Sequence, residues 1–349
     1  MYWSLVWQKL WVRALPLLMA TVLLALGCGK LRRQTPEPAL PEGAPPPHLA
    51  QLWSEPADIA SRDLFHGPGG RDLLPAPGST FTFVAKDTTG YSPGWDVRDA
   101  SGMTWDVKQG PEAQSEAVAS RLAWAIGFHQ PPTYYVEDWK LVGVEAPPQP
   151  PGRFRPDLPG WHKEGSWSWA RNPFVDTQPY RGLVVLMHML GNWDLLDDNT
   201  ALYRVDTPVG GARTLYVVQD LGASLGKSRS LPGKATRNDI EDFETQGFIK
   251  GVDEHGHVEF DDTRWLHEKL YTRVSPADVR WTSELLARLT PEQWRDAFRA
   301  ARYDPTVADR YVRKLQEKVR VGRSLRDPRG DSGDGTMGAR GFLPTSRRR

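Results

Sequence analysis

Apolar and polar residues alternate in the first half of the chain in a way that predicts β-strands. Residues 81–86 alternate as a half-buried strand does, and turn-forming residues over 87–94 separate them from a second strand. In the third strand Trp105 and Val107 share one face, so Lys108 projects from the opposite face. Two more strands follow this meander. The predicted strands are 81–86, 95–99, 103–109, 131–136 and 140–144.

Helical periodicity begins directly after the third strand and dominates the second half of the chain. Pro111 opens a helix in which Val118, Leu122 and Ile126 recur at four-residue spacing until Gly127 ends it. A later run is apolar nearly all round, which predicts a buried helix. The predicted elements of the second half are helices over 180–190, 275–289, 292–301 and 305–321, strands over 201–205 and 214–219, and a hairpin over 249–260.

Composition limits the class of protein more than its function. With 349 residues and 39% hydrophobic content, the chain can bury a sizeable core as one large domain or two. The formal net charge of +1 gives no reason to expect nucleic acid as a partner. Cys28 is the only cysteine, so neither a disulfide framework nor a zinc site is expected.

The N-terminus resembles a bacterial lipoprotein signal. Lys9 and Arg13 precede an apolar run over 14–26, and Gly27 and Cys28 follow it as the end of a lipobox. This predicts a signal peptide over 1–27, a lipidated Cys28 and a proline-rich tether to residue 50, hence a membrane-anchored protein of the cell envelope. The alternative is an uncleaved anchor that leaves the folded part on the cytoplasmic face of the inner membrane.

The stretch 191–199 is the first candidate for chemistry. It follows the apolar helix and carries Asp194 and, five residues later, Asn199. Phosphoryl-transfer enzymes of the protein-kinase kind use this spacing for a catalytic base and a metal ligand. Because Asp and Asn are also common in loops, the spacing alone is a weak signal.

A lysine and two glutamates form the second candidate. Lys108 ends the third strand, and Glu112 and Glu116 lie one turn apart on the helix that follows. A carboxylate on such a helix holds a flexible ammonium against nucleotide phosphates. The alternative is a solvated lysine beside a helix with two acids in its first turns.

A third candidate lies at the end of the predicted hairpin over 201–219. Asp220 ends its second strand, and Gly222 lets the backbone turn away. Asn199 precedes the first strand, so the hairpin brings Asn199 and Asp220 back together. An amide oxygen and a carboxylate at one end of a hairpin suit Mg²⁺.

In their order along the chain, Lys108, Glu112 or Glu116, Asp194, Asn199 and Asp220 make the sequence resemble the protein-kinase-like superfamily. The sequence Asp-Leu-Gly at 220–222 is similar in style to phosphoinositide kinases and bacterial HipA-type kinases. The resemblance covers about residues 78–320 and implies ATP and Mg²⁺ as cofactors and an unknown hydroxyl-bearing substrate, which is a protein, a lipid or a small molecule. It implies a catalytic set of Asp194, Lys108 and Glu116, nucleotide contacts from Lys108, Glu112, Gly90 and Gly94, and metal ligands Asn199 and Asp220.

The implied fold is α+β and bilobal, with a small sheet and one helix in the N-lobe and a mainly helical C-lobe. The expected boundaries are 51–145 for the N-lobe, 146–322 for the C-lobe and 323–349 for a disordered tail. Two departures support an alternative, a membrane-tethered pseudokinase or binding lipoprotein without catalysis. Leu195 and Leu196 follow Asp194 where kinases place a cation, and 90–94 is not a true glycine-rich loop. Nucleotidyl transfer is a further possibility.

Overall fold

The computed structural model describes residues 48–87, 94–230, 234–261, 270 and 273–328, and for 227–230 and 234–237 it describes the backbone alone. Cys28 and Gly90 lie outside the described residues. All described residues belong to one compact unit. Within them, no helix is both long and apolar enough to cross a membrane.

A six-stranded sheet forms the first half of the fold. Its strand order is β4, β6, β3, β2, β1, β5, and all neighbours are antiparallel except β1 and β5. The strands are β1 (Ser79–Asp87), β2 (Gly94–Arg98), β3 (Thr104–Gln109), β4 (Tyr134–Val136), β5 (Trp139–Val142) and β6 (Gly152–Pro156).

The sheet is curled, and the chain connection between its two edges requires this. Strands β4 and β5 lie at opposite edges, yet only Glu137 and Asp138 join them. Such a link reaches about 11 Å at most, whereas the edges of a flat six-stranded sheet lie about 24 Å apart. The strands therefore curl around an aromatic core, in which the rings of Phe81 and Phe154 lie 5.0 Å apart and those of Trp139 and Phe154 lie 5.1 Å apart.

Helix α1 (Glu112–Ala125) lies against this sheet and is buried on nearly every side. Its small residues, such as Ala117 and Ala119, allow close packing, and they belong to the same hydrophobic core as the helices of the second half. The segment before β1 adds Leu52, Ile59 and Leu64 to this core. Helix α1 therefore shares its core with the later helices, whereas the curled sheet has an aromatic core of its own.

The second half combines helices with a smaller sheet. Three antiparallel strands form that sheet, in the order β7 (Trp161–Gly165), β8 (Thr200–Val209) and β9 (Ala212–Val218). The remaining described elements are α2 (Gln178–Leu190), the hairpin β10 (Lys227–Ser230) and β11 (Lys234–Arg237), α3 (Ile240–Thr245), the hairpin β12 (Ile249–Val252) and β13 (Val258–Phe260), α4 (Pro276–Ala287), α5 (Pro291–Ala300) and α6 (Pro305–Ser324).

The predicted α+β class is confirmed, as is the meander that leads to α1. Four strands were not predicted, namely β6, β7 and the two strands of the β10–β11 hairpin. Strand β6 lies in the proline-dense stretch 146–159, which the sequence marks as a boundary, and β7 precedes the aromatic stretch that starts at Trp167. The sequence predicted β8 and β9 as a hairpin in a mainly helical second half. Because β7 was not predicted, neither was the three-stranded sheet that the three strands form. A mixed fold with a curled sheet and, among the described residues, six α-helices is compatible with a kinase-like fold.

Candidate functional site

Strands β3 and β6 place four charged side chains on one face of the curled sheet. In the antiparallel register Asp106 lies opposite Arg155, and Lys108 lies opposite Arg153. Directly opposite residues of an antiparallel pair share a face. The intervening Val107 and its neighbours point into the aromatic core, so alternation along the strands brings all four charged groups to the outer side.

Lys108 lies at the centre of this charged face. Its Nζ is 3.2 Å from Glu112 Oε2, 3.7 Å from Glu116 Oε2 and 3.3 Å from Asp220 Oδ1. Burial would lower the pKa of Lys108, but the charges of Glu116, Asp220 and Glu112 outweigh that effect and raise it. The ammonium is therefore firmly protonated and fixed in position.

Glu116 is shared between the lysine and two arginines. Its Oε1 lies 3.1 Å from Arg153 Nε and 3.8 Å from Arg155 NH1. Both arginines also reach Asp106, with Arg153 NH1 at 3.0 Å from Asp106 Oδ2. Burial would raise the pKa of Asp106, but the two guanidinium groups hold it well below its ordinary value. The result is a mostly buried network of alternating charges beside Lys108.

Asp220 enters this network from the end of β9. It has a left-handed backbone conformation, with φ 51° and ψ 44°, which an aspartate adopts more readily than most residues. Burial would raise the pKa of Asp220, but Lys108, Arg155 and Arg153 together lower it. The carboxylate is thus ionised and faces three cations.

Gly222 allows the turn after Asp220 to lie directly against α1. A Cβ atom at Gly222 would be 2.6 Å from Glu112 Cβ and 3.1 Å from the Glu112 carbonyl oxygen. The Ser115 hydroxyl donates to the Gly222 carbonyl at 2.7 Å and fixes the same contact. The close approach brings Asp220 to the helix that carries both glutamates.

The loop that follows α2 holds Asp194 and Asn199. Asn192 accepts from the Asp194 amide at 3.0 Å, and the Asn199 side-chain amide donates to the Asp194 carbonyl at 2.8 Å. These bonds fix the loop from both ends. The Gln219 amide donates to the Asn199 carbonyl at 2.8 Å, so Asn199 and Asp220 do lie at one end of the β8–β9 hairpin.

A further cation approaches from β7. Lys163 Nζ donates to Gln219 Oε1 at 3.2 Å, and Gln219 Nε2 donates to the Tyr203 hydroxyl at 2.6 Å. Burial and the charge of Arg155 lower the pKa of Lys163, while Asp220 and Asp106 act in the opposite direction. The ammonium therefore lies within electrostatic range of the charged face.

The donor set limits which metal the site could hold. Across the described residues, no group of three or more His, Cys, Asp or Glu side chains is arranged to hold a metal ion. Asn199 and Asp220 offer an amide and a carboxylate oxygen, which are ligands that Mg²⁺ accepts when water and substrate phosphates fill its other positions. The residues therefore fit a magnesium ion bound together with a phosphate substrate.

The structure brings together most of the residues singled out in the sequence. The Lys108 ammonium lies within 4 Å of a carboxylate oxygen of each of Glu112, Glu116 and Asp220. Gly94 lies opposite Lys108 in the β2–β3 ladder. Asp194 and Asn199 lie in the loop that follows α2, where the Asn199 side chain bonds to the Asp194 carbonyl. Gly90 lies outside the described residues.

Sequence reasoning missed Asp106, Arg153, Arg155 and Lys163. The sequence did contain a signal for Asp106, because it lies two residues before Lys108 and so shares a strand face with it. The alternation of Arg153 and Arg155 was masked by the flanking prolines. The histidine pair in the 253–257 turn is solvent-exposed, and His257 pairs with Asp253 at 3.3 Å.

Comparisons with known proteins give little further guidance. No protein-family model matches the chain, and no curated protein matches it. Among solved structures, the chain is similar to the proinflammatory kinase CtkA of Helicobacter pylori, with a TM-score of 0.37 and 11% identity over 71% of this chain and 98% of that one. At so low a TM-score this similarity is no argument for function, so the geometry of the site has to supply one.

Proposed function

We propose that this chain is a kinase-like phosphotransferase that uses ATP and Mg²⁺ to phosphorylate a hydroxyl group on a protein, a lipid or a small molecule. One observation carries the proposal: the Lys108 ammonium is held between two glutamates of α1 and Asp220, which is 112 residues away along the chain. A strand lysine paired with a helix glutamate, beside an aspartate that can hold a metal, is the arrangement that phosphoryl transfer requires.

The roles of the N-terminal residues follow from their charges. Lys108 binds nucleotide phosphates, and Glu112, at 3.2 Å, and Glu116, at 3.7 Å, orient its ammonium. Gly94 begins the strand beside Lys108 and has no side chain to obstruct a phosphate. In this proposal the curled sheet with α1 is an N-lobe, the second half is a C-lobe, and the nucleotide binds between them.

Asn199 and Asp220 hold the magnesium ion in this proposal. When bound, Mg²⁺ neutralises charge on the phosphates and orients the terminal one. The Asp220 carboxylate is ionised and accessible, with 34% of its side chain exposed. Its contact with Lys108 keeps the lysine and the metal ligand side by side, so that both reach the same phosphate group.

Asp194 acts as the general base. It lies in the loop that follows the apolar helix α2, and hydrogen bonds to the side chains of Asn192 and Asn199 fix its backbone. In the reaction its carboxylate accepts the proton of the acceptor hydroxyl while that oxygen bonds to the terminal phosphorus. The bond between this phosphorus and the bridging oxygen breaks, and ADP leaves with the electron pair.

A second candidate function is nucleotide binding without transfer. The loop 191–199 contains no Lys or Arg, and Leu196, which follows Asp194 by two residues, is 44% exposed. A positive side chain beside the transferring phosphoryl group stabilises its negative oxygens and lowers the barrier, so a loop without such a side chain favours binding over catalysis. This candidate keeps every binding role above and omits only the base.

Nucleotide binding to the purified full-length protein tests the proposal. We expect ATP to raise the melting temperature only when Mg²⁺ is present. A ligand at 100 times its Kd stabilises the folded protein by about 2.7 kcal/mol. Asp220→Ala should abolish the shift and Lys108→Ala should weaken it. Asp261→Ala is a matched control, because Asp261 is an exposed carboxylate whose ion pair with Lys250 is 4.0 Å long.

Transfer of labelled phosphate separates the two candidates. We expect wild-type protein to label an acceptor hydroxyl, and Asp194→Ala to bind ATP with undiminished shift but lose labelling. Binding without any transfer in wild-type protein would establish the second candidate. The absence of a thermal shift with every nucleoside triphosphate would refute both.

A further inference from the structure

The loop beside Asp194 lacks a positive charge that the proposed chemistry needs. Leu195 is 3% exposed and Leu196 is 44% exposed, so neither the buried nor the open position after the base holds a cation. A phosphoryl group in transfer carries negative charge on its outer oxygens, which fixed cations stabilise. If the reaction proceeds, another part of the chain has to supply this charge.

Lys163 is the cation best placed to do so. It is on β7 opposite Tyr203 of β8, at the edge of the three-stranded sheet. Its ammonium is fixed by the Gln219 side chain, which is 5% exposed and is itself held by the Tyr203 hydroxyl. Gln219 immediately precedes Asp220. A buried amide thus holds the Lys163 ammonium next to the proposed metal ligand.

The charge of Lys163 is not neutralised as the other cations of the cluster are. Among the described residues, no carboxylate lies within 4 Å of Lys163 Nζ, whereas Lys108 has three and Arg155 contacts Asp106 and Glu116. An ammonium has three donors, and one of them is used by Gln219. The other two donors and the charge of Lys163 are therefore available to a further partner.

The neighbouring charges favour an anion as the partner of this lysine. The pKa of Lys163 is lowered by burial and by the positive charge of Arg155, and Asp220 and Asp106 offset only part of this. A bound anion would relieve the repulsion between Lys163 and Arg155. Since Asp220 would carry the metal, the anion nearest to both is the terminal phosphate of the nucleotide.

We propose that Lys163 is a phosphate-binding residue that contacts the terminal phosphate of a nucleoside triphosphate and supplies the cation absent from the loop after Asp194. This assignment rests on the proposed function. It assigns the charge to β7 of the three-stranded sheet, whereas Lys108 is on β3 of the six-stranded sheet, so that the phosphate is held between lysines of the two sheets. Lys163 acts on the phosphate and takes no proton in the reaction.

Binding constants for ATP and ADP test this role on the full-length protein. We expect Lys163→Met to weaken Mg²⁺–ATP binding on the order of tenfold, because hydrogen bonds to charged groups contribute about that much. Mg²⁺–ADP, which lacks the terminal phosphate, should bind the variant and the wild type equally. Lys163→Arg keeps the charge and should retain most of the preference for ATP.

Lys250→Met is the matched control. Lys250 is also an exposed strand lysine, on β12, and its ammonium lies 4.0 Å from Asp261. We expect this variant to bind both nucleotides as the wild type does. Unchanged melting temperatures in the absence of nucleotide would show that all three variants fold.

The outcomes separate this inference from the proposed function. Wild-type protein that binds neither nucleotide refutes the proposed function and this role with it. Wild-type protein that binds ATP, together with a Lys163→Met variant that keeps its ATP to ADP preference and its transfer rate, refutes the role of Lys163 alone. An equal loss of ATP and ADP affinity in that variant also counts against a contact with the terminal phosphate.

Discussion

Lys108 and Asp220 form an ion pair, 3.3 Å long, between the curled sheet and the end of the β8–β9 hairpin. The lysine also lies within 4 Å of Glu112 and Glu116, so it separates three carboxylates. Only 16% of the Lys108 side chain is exposed, and water therefore screens these charges weakly. The pair links the two halves of the fold through electrostatics as well as through the shared core.

Replacing Lys108 by methionine should destabilise the protein. We expect the free energy of unfolding to fall by about 2 kcal/mol, less than for a fully buried pair because Asp220 is partly exposed. Adding Asp220→Asn should restore part of the loss, since one of the crowded carboxylates is then neutral. Urea unfolding of the two single variants and the double variant measures this coupling. The exposed pair Lys250 and Asp261 is the control and should show almost no coupling energy. Strictly additive effects of the Lys108 and Asp220 substitutions would contradict the expectation.

Gly222→Ala should disturb the site without changing any charge. The added methyl group would be 2.6 Å from Glu112 Cβ, so α1 and the turn after Asp220 have to move apart. We expect a loss of about 1–3 kcal/mol in unfolding free energy, which is typical of overpacking, and weaker nucleotide binding. Gly251→Ala is the control, since a Cβ there meets no atom within 4 Å. Equal stability of the two variants would show that the close approach is not maintained in solution.

Acid should weaken the fold through Asp106. The pKa of this residue is depressed because Arg153 and Arg155 outweigh the effect of burial. A depressed pKa contributes stability that is complete above the unfolded value, about 3.9 for Asp, and that is lost as pH falls through the folded value. The lowered pKa of Asp220 acts in the same direction.

Asp106→Asn tests this origin of the pH dependence. We expect the variant to be less stable than wild type at neutral pH, because Arg153 loses a charged partner, and to lose less stability on acidification. Urea unfolding at about pH 7 and about pH 3 measures the difference on either side of the unfolded pKa. Asp261→Asn, which removes an exposed carboxylate, should leave the pH dependence as in the wild type. A parallel pH profile for Asp106→Asn would rule out the depressed pKa.

We propose that Cys28 is lipidated and that the lipid attaches the protein to a membrane. Gly27 and Cys28 end an apolar run that resembles a lipoprotein signal, and both lie outside the described residues. We expect radiolabelled palmitate to be incorporated by cells that make the wild-type protein, and Cys28→Ser to abolish the label. Persistent labelling of that variant would count against a lipobox.

Local sequence patterns predicted the elements in which apolar residues recur with a single strand or helix period. Alternation identified β3 and the orientation of Lys108, and four-residue spacing identified α1, because each element has one periodicity and one core. The turn at Gly222 and the order of the acidic residues also indicated which elements would meet. These signals are local, so they survive in a single sequence.

The partners of the site could not be predicted in the same way. Arg153 is 1% exposed, but the short alternation around it is masked by the flanking prolines, and its place next to β3 depends on pairing over more than forty residues. Lys163 reaches the site only because β7 pairs with β8. Such pairings are properties of the whole fold, which local periodicity does not encode.

The position of β6 sets an order of assembly for the growing chain. Strand β6 lies between β3 and β4, both of which are synthesised before it. Until residues 152–156 emerge from the ribosome, two strand edges lack their partner, and such edges invite pairing with other chains. Because β6 also carries Arg153 and Arg155, Asp106 gains its two arginine partners only at that stage, and Glu116 then adds Arg153 to its contact with Lys108. Neutralisation of the charged face and closure of the sheet are therefore a single event in biosynthesis.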